Sequence, residues 1–249
     1  MQSEYIIFLG KNILILLKLL SMLVFVHGMW SYPEIWEPFV KYFEDRGFKC
    51  KSMDLQEINK INASFYDYLE LVKGNVRKGD IVIGHSLGGL LVQKIAEEKE
   101  IKAGIAISSA PPKGIKFGKK AMLASLKYFP KIISKKPFKP DFSFARKYIF
   151  NCIDEEKARK AYEKMRSDSS KVAYEVAMNK IAVDERKIKC PMLFIAMKDD
   201  KLSPPDMVKK IADKYGGKLL IYEGCHWFIE KWDEIAYGIE DFILDLKIY

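Results

Sequence analysis

The stretch DIVIGHSLGGLLVQKIAEE, residues 80–98, decides how this chain is read. A strand-type run ends at a glycine and a histidine, a lone serine follows, and apolar positions then recur at helical spacing. Gly84 and Gly88 stand two places either side of Ser86, which makes a G-x-S-x-G pattern between strand and helix. So sharp a turn strains the serine backbone, and only very small neighbours let the chain fold that tightly. The hydroxyl is thrust outward. It stands beside the unpaired N–H groups that open the helix at 87–98, where developing negative charge is favoured. The plain alternative is a glycine-rich turn that merely packs a helix on a sheet. The strand before it and the helix after it favour a nucleophile.

Outward from this turn, strand-like runs bounded by turn residues recur at 23–26, 48–53, 80–83, 105–107, 192–196 and 218–222. Helix-period segments at 35–46, 64–73, 87–98, 205–215 and 233–246 lie between or after them. Such alternation predicts an α/β fold, a mostly parallel sheet with helices on both faces. Residues 113–190 break the rhythm, because they are far too long for an ordinary crossover. They read as helices near 118–129, 154–166 and 169–182, punctuated by Pro130, Pro137 and Pro140. The expected organisation is a core of 1–112 and 191–249 with a helical cap at 113–190 inserted in it.

With 49% hydrophobic and 30% charged residues among 249, the chain can bury a substantial core. Its four cysteines, Cys50, Cys152, Cys190 and Cys225, have no paired spacing that suggests a metal or redox centre. Without a secretory pattern they read as reduced thiols, which places the protein in the cytoplasm. The net charge of +9 is local: between Lys113 and Lys147 ten lysines and Arg146 face Asp141 alone, or +11 − 1 = +10. The apolar stretch YIIFLGKNILILLKLLSMLVFV, residues 5–26, is broken by Lys11, Asn12 and Lys18 short of a clean span of ~20 residues. It reads as an atypical extension over 1–21, either a hairpin turning at 10–12 or a Leu-rich helix, or else as residues ahead of a natural start at Met22.

A serine hydroxyl is a weak nucleophile at neutral pH and needs a base, which in turn needs an orienting acid. Of the three histidines, His85 adjoins the serine and points away across the turn, and His27 ends another strand. His226, in IYEGCHWF after the 218–222 strand, is left as the base. In PMLFIAMKDDKLSPPD, Asp199 and Asp200 both follow an apolar strand and either can supply the acid.

FVHGMW, GHSLGG, MKDDKLSP and GCHW occur in the order found in the α/β-hydrolase superfamily, which this sequence resembles over nearly all of 23–249. In that family the acid usually stands four residues before a proline, and Pro204 then selects Asp200. The resemblance implies a Ser86, His226, Asp200 triad. It also implies an oxyanion hole from the backbone N–H groups of Leu87 and Met29, with His27 and Gly28 shaping the loop. Where many relatives carry a small residue after the HG pair, this chain has Met29 and Trp30, and Trp30 fills or walls part of an acyl pocket. The early start at residue 23 resembles the small esterase, methylesterase and hydroxynitrile-lyase branch.

The expected reaction is acyl transfer to water from a carboxylic ester or thioester through an acyl-enzyme. Met122, Leu126, Phe129 and Ile133 recur at helical spacing, with Lys119, Lys120, Lys127 and Lys131 off that face. One reading is a basic, hydrophobic lid in which Met122 and Phe129 meet an acyl chain, as of a lysophospholipid or monoacylglycerol, and which touches an anionic membrane transiently. The reading placed first packs the stripe onto the core and leaves the lysines solvated. No cofactor or metal is expected, and no nucleic-acid partner, because the basic stretch carries no reading motif. The alternatives are a non-hydrolytic ligand binder or lyase, or a C–C hydrolase or acyltransferase using the same residues.

Overall fold

The computed structural model describes residues 21–246. The expectations of a hairpin or a Leu-rich helix over the segment ahead of Met22 fall on 1–20, outside the described residues. Strands β1 (Met22–Val26), β2 (Lys49–Met53), β3 (Ile81–His85), β4 (Ala103–Ile107), β5 (Met192–Met197) and β6 (Lys218–Tyr222) form one sheet. Its order is β2-β1-β3-β4-β5-β6, and every pairing is parallel. The helices are α1 (Glu37–Glu44), α2 (Phe65–Asn75), α3 (Leu87–Glu98), α4 (Lys119–Ser125), α5 (Phe129–Ile133), α6 (Phe142–Tyr148), α7 (Glu155–Lys164), α8 (Ser170–Ala177), α9 (Pro205–Tyr215) and α10 (Trp232–Leu244).

Alternate strand residues face opposite layers, as the two-residue period of a strand requires. Val24, Val26, Val82 and Phe194 pack with α2, α3 and α9. Leu23, Phe25, Ile83 and Ile195 pack with α1 and α10. Each fully buried Leu, Ile or Phe contributes about 1.5–3 kcal/mol, so this two-sided burial dominates the stability of the core. The chain reverses direction across the sheet at β1, which has β2 on one side and β3 on the other. The carboxyl ends of strands beside such a switch point form a crevice.

Between β4 and β5 the chain forms the short helices α4 to α8, which build two small apolar clusters of their own. The single helix expected at 118–129 is three pieces: α4, a 3₁₀ turn at Leu126–Tyr128, and α5 with Pro130 in its first turn. Helix α6 lies in a stretch for which no helix was expected. The expectation that Leu126, Phe129 and Ile133 pack inward is overturned, because they are 60%, 50% and 64% exposed. Two apolar stripes compete on this segment, and the one through Ala121, Tyr128 and Ile132 turns inward. Tyr128 decides the choice by packing on Phe138 and Phe144 while donating its hydroxyl to Asp141.

The cysteines also need correction. Cys152, just after α6, is joined to Cys225 in a disulfide, with Cα atoms 5.5 Å apart. Residues 73 positions apart in sequence are brought side by side by the fold, which no spacing rule reveals. Only Cys50 and Cys190 are free, so the reduced-thiol argument for a cytoplasmic address does not hold for the pair. Among the described residues, no helix is long and apolar enough to cross a membrane.

Candidate active site

Ser86 sits between the end of β3 and α3 with φ +54°, a left-handed backbone rarely adopted by a side-chain-bearing residue. Two close approaches and two hydrogen bonds hold the turn. A Cβ added at Gly84 would stand 2.2 Å from the Gly88 carbonyl oxygen, and one at Gly88 would stand 2.2 Å from that of Val26. The Ser86 N–H donates to the Ile107 carbonyl at 3.0 Å, and the Ser86 carbonyl accepts from Ala110 N–H at 2.9 Å. The strain is therefore held by backbone packed against backbone on both sides.

The Ser86 hydroxyl lies 3.1 Å from His226 Nε2, and His226 Nδ1 lies 2.8 Å from Asp200 Oδ2. His226 follows β6 and Asp200 follows β5, so three strand ends deliver the three side chains to one rim of the sheet. Asp200 is buried, and its other oxygen accepts the N–H groups of Leu202 and Ser203, both at 2.8 Å. Its carboxylate is thus fully engaged and aimed at the imidazole. Asp199 is exposed and turns away.

His85 lies behind this line rather than in it. Its Nε2 donates to the His226 carbonyl at 3.1 Å, and its ring packs at a tilt against Phe228 and His226. Burial, reinforced by the neighbouring His226, pushes its pKa well below the ordinary histidine range. His85 is thereby a neutral donor that supports the His226 backbone, a role its adjacency to the serine does not reveal. His27 is fixed at both ring nitrogens: Nδ1 donates to the Gly28 carbonyl at 2.8 Å and Nε2 accepts from Leu55 N–H at 3.1 Å.

Leu87 opens α3, so its N–H has no intrahelical acceptor. Met29 is the second residue of a turn closed by Ser31 N–H donating to the Gly28 carbonyl at 3.3 Å. Neither amide donates to a protein acceptor among the described residues. Both residues border the same cavity as Ser86, where two free donors can meet a developing oxyanion.

That cavity measures about 130 Å³. Of the residues read from sequence as facing substrate, Trp30 and Met122 line it, together with Met29, but Phe129 does not. Phe129 lies on the outward stripe, and Tyr128, Phe138, Phe144, Val176 and Leu202 form the wall instead. For Tyr128, Phe138 and Phe144 the only sequence signal is the density of aromatics around Pro137 and Pro140, and Val176 and Leu202 carry none. No charged aspartate, glutamate, lysine or arginine lines the cavity, so it suits an uncharged apolar group. A second chamber of about 50 Å³ shares Ser86, His226, Trp30 and Leu202 and runs toward Phe150 and Met165. Among the described residues, no cluster of His, Cys, Asp or Glu is arranged to hold a metal ion.

No curated protein matches this sequence. Among solved structures, the chain is similar to tomato methylketone synthase I bound to 2-tridecanone, at 17% identity and a TM-score of 0.67 over 91% of this chain and 99% of that one. Paleococcus ferrophilus monoacylglycerol lipase shares 19% identity, with a TM-score of 0.66 over 91% of this chain and 95% of that one. Polyneuridine aldehyde esterase shares 20%, with a TM-score of 0.63 over 90% and 99%. At these identities the likeness is one of fold. The model of the alpha/beta hydrolase family matches residues 23–236, which take in the six strands but for Met22, the elbow and the residues gathered around it, and this chain belongs to that family.

Proposed function

We propose that this protein is a serine esterase that hydrolyses carboxylic esters or thioesters of an apolar acid. The observation that carries the reading is the unbroken line from Ser86 through His226 to Asp200, at 3.1 and 2.8 Å, opening on an uncharged cavity. His226 Nε2 takes the hydroxyl proton as Ser86 Oγ bonds to the carbonyl carbon, and the Leu87 and Met29 amides receive the oxyanion. Asp200 holds the imidazole tautomer and stabilises the imidazolium. The carbon–oxygen or carbon–sulfur bond then breaks, and the leaving group departs with the proton from His226. Water repeats the sequence on the acyl-enzyme and restores the serine. The two chambers meeting at Ser86 suit the two halves of an ester, with the larger taking the acyl chain.

Residues 113–190 act in this reading as a cap, because its aromatic residues supply the cavity wall. The test is turnover of p-nitrophenyl esters of graded chain length, together with labelling by a fluorophosphonate probe. Ser86→Ala should abolish labelling and lower kcat by roughly 10⁴–10⁶. Undiminished turnover by a clean Ser86→Ala preparation would remove the proposal.

A second observation bears on how substrate arrives. Leu123, Leu126, Phe129 and Ile133 are exposed on the cap amid its run of lysines. A groove bordered by Lys116, Lys119, Leu123 and Met178 shares Phe117 and Met122 with the cavity. Apolar side chains ringed by ammonium groups suit an anionic phospholipid surface. In this reading the cap rests on such a surface, and a long-chain ester passes along the groove. Hydrolysis of a long-chain ester in phosphatidylglycerol vesicles should fall steeply with added salt, whereas that of a short neutral ester in solution should not. Equal salt sensitivity of the two would dismiss the membrane role.

A further inference from the structure

The turn that carries Met29 is built on an ill-suited residue. In the Gly28–Ser31 turn, Trp30 occupies the third position with φ +62°. A turn with that geometry asks for glycine, since a Cβ there crowds the backbone. The tryptophan ring offers no hydrogen bond in compensation, because its Nε1 is buried without a partner. Something else must hold this loop.

One short piece of the cap takes both main-chain groups of Trp30. Its N–H donates to Asp168 Oδ2 at 3.2 Å, and its carbonyl accepts from the Arg166 N–H at 3.0 Å. Arg166 also donates from Nε to the Ser31 carbonyl at 3.3 Å and grips Asp54 with both terminal nitrogens, at 2.9 and 2.7 Å. Asp168 is itself immobilised from every side. Its main chain exchanges two bonds with Phe138, both at 2.9 Å, and its Oδ1 accepts from Ser169 N–H at 2.7 Å and from the Tyr68 hydroxyl. Tyr68 belongs to α2 in the core. Burial, with the Asp168 charge beside it, pushes the Tyr68 phenol well above the ordinary tyrosine range and keeps it a donor.

We propose that Asp168 is a positioning residue for the oxyanion hole: one carboxylate oxygen is anchored on the core through Tyr68, and the other clamps the strained Trp30 turn, which aims the Met29 N–H at the reacting carbonyl. The inference rests on the esterase reading above. A carboxylate suits the task because its two oxygens span the gap between α2 and the turn, and a charge-assisted bond to a backbone N–H is stronger than a neutral one. An oxyanion donor works over a few tenths of an ångström, so a loosened turn costs rate rather than substrate binding.

The experiment compares Asp168→Ala in two backgrounds, the natural Trp30 and Trp30→Gly, in which the turn accepts φ +62° without a clamp. With Trp30 present, Asp168→Ala should lower kcat for a p-nitrophenyl ester by about 30-fold and leave KM within about 3-fold, since one misdirected donor is at stake. Affinity for a boronic acid that forms a tetrahedral adduct on Ser86 should fall with kcat/KM. In the Trp30→Gly background the same substitution should change kcat by less than about 3-fold. Tyr68→Phe, which keeps the side-chain volume, should give a smaller loss of about 3–5-fold in the Trp30 background only, and it decides the matter if Asp168→Ala does not fold. An equal loss in both backgrounds, or a fall in Tm with kcat unchanged, overturns the proposal. A wild-type protein that neither turns over esters nor reacts with fluorophosphonate overturns the esterase reading itself, an outcome distinct from intact wild-type turnover with no dependence on Asp168.

Discussion

At the elbow, main chain bears directly on main chain. Gly84 approaches Gly88, Gly88 approaches the end of β1, and Gly89 lies so close to Ser109 that a Cβ would stand 2.7 Å from its hydroxyl. The cap is held differently, by scattered links of side chain and main chain: the disulfide to Cys225, the Ile149 carbonyl accepting from Trp227 N–H at 3.0 Å, and the Arg166 and Asp168 bonds to the Trp30 turn. Close packing leaves the elbow one conformation. A set of separate ties leaves the cap dependent on each. In the proposed esterase the difference has a use, since the serine must not move while the surface over it admits and releases substrate.

Removing a tie and filling a contact should therefore fail in different ways. The largest effect is expected from Cys152→Ser with Cys225→Ser, which reopens a loop of 73 residues' separation and should cost about 4 kcal/mol of stability on a chain-entropy argument. Differential scanning calorimetry would show the loss as a lowered Tm. If Tm is unchanged, the pair does not tie the cap to the His226 loop in solution. Next, Gly88→Ala should cost about 3 kcal/mol, because the new Cβ meets the Val26 carbonyl and α3 must back away from the sheet. The serine moves with α3, so kcat should drop even in the protein that remains folded, and a stable, fully active variant would mean that the close approach is relaxed at no expense.

On the exposed face of the cap, Leu126→Ser with Phe129→Ser should leave Tm nearly unchanged, within about 0.5 kcal/mol, since neither side chain is buried. Binding to phosphatidylglycerol vesicles in a sedimentation assay should nevertheless weaken by about tenfold or more, the loss expected for two apolar side chains withdrawn from a lipid interface. The smallest effect is expected at Asp141. It caps α6 by accepting the Phe144 N–H at 3.0 Å and pairs with Lys127 at 2.7 Å. The Lys127 ammonium holds its pKa at about 2, below the ordinary 3.8. A depressed carboxyl pKa stabilises the folded state above the ordinary value, and that contribution is lost as pH falls through the depressed one. The Tm gap between wild type and Asp141→Asn should be small at pH 7, under about 1 kcal/mol for so exposed a pair, and should close between about pH 4 and 2. A gap that persists at pH 2 would mean that the charge is irrelevant to the cap.

Legibility in the sequence follows the same division. The core strands are apolar on both faces and flanked by turn residues, so periodicity alone locates β1, β3 and β5 to within a residue or two. The meeting of Ser86, His226 and Asp200 was legible because each follows a strand, and the resemblance separated Asp200 from Asp199. In the cap, by contrast, the helices run from five to ten residues, and 118–133 carries two apolar stripes rather than one. Local pattern cannot choose between such faces. Phe129 was favoured by spacing, and Tyr128 took the interior because Phe138, Phe144 and Asp141 were waiting for it.

From its residues alone, this chain determined its alternating strands and helices, the strained serine between glycines and the order of the groups around it, because these depend on local sterics and on a burial period written into neighbouring positions. Only the tertiary structure decided the Cys152–Cys225 bond, the outward stripe of the cap and the grip of Asp168 on Trp30. Those join positions separated by tens of residues, and they are set by where the sheet and cap bring surfaces together rather than by any local preference.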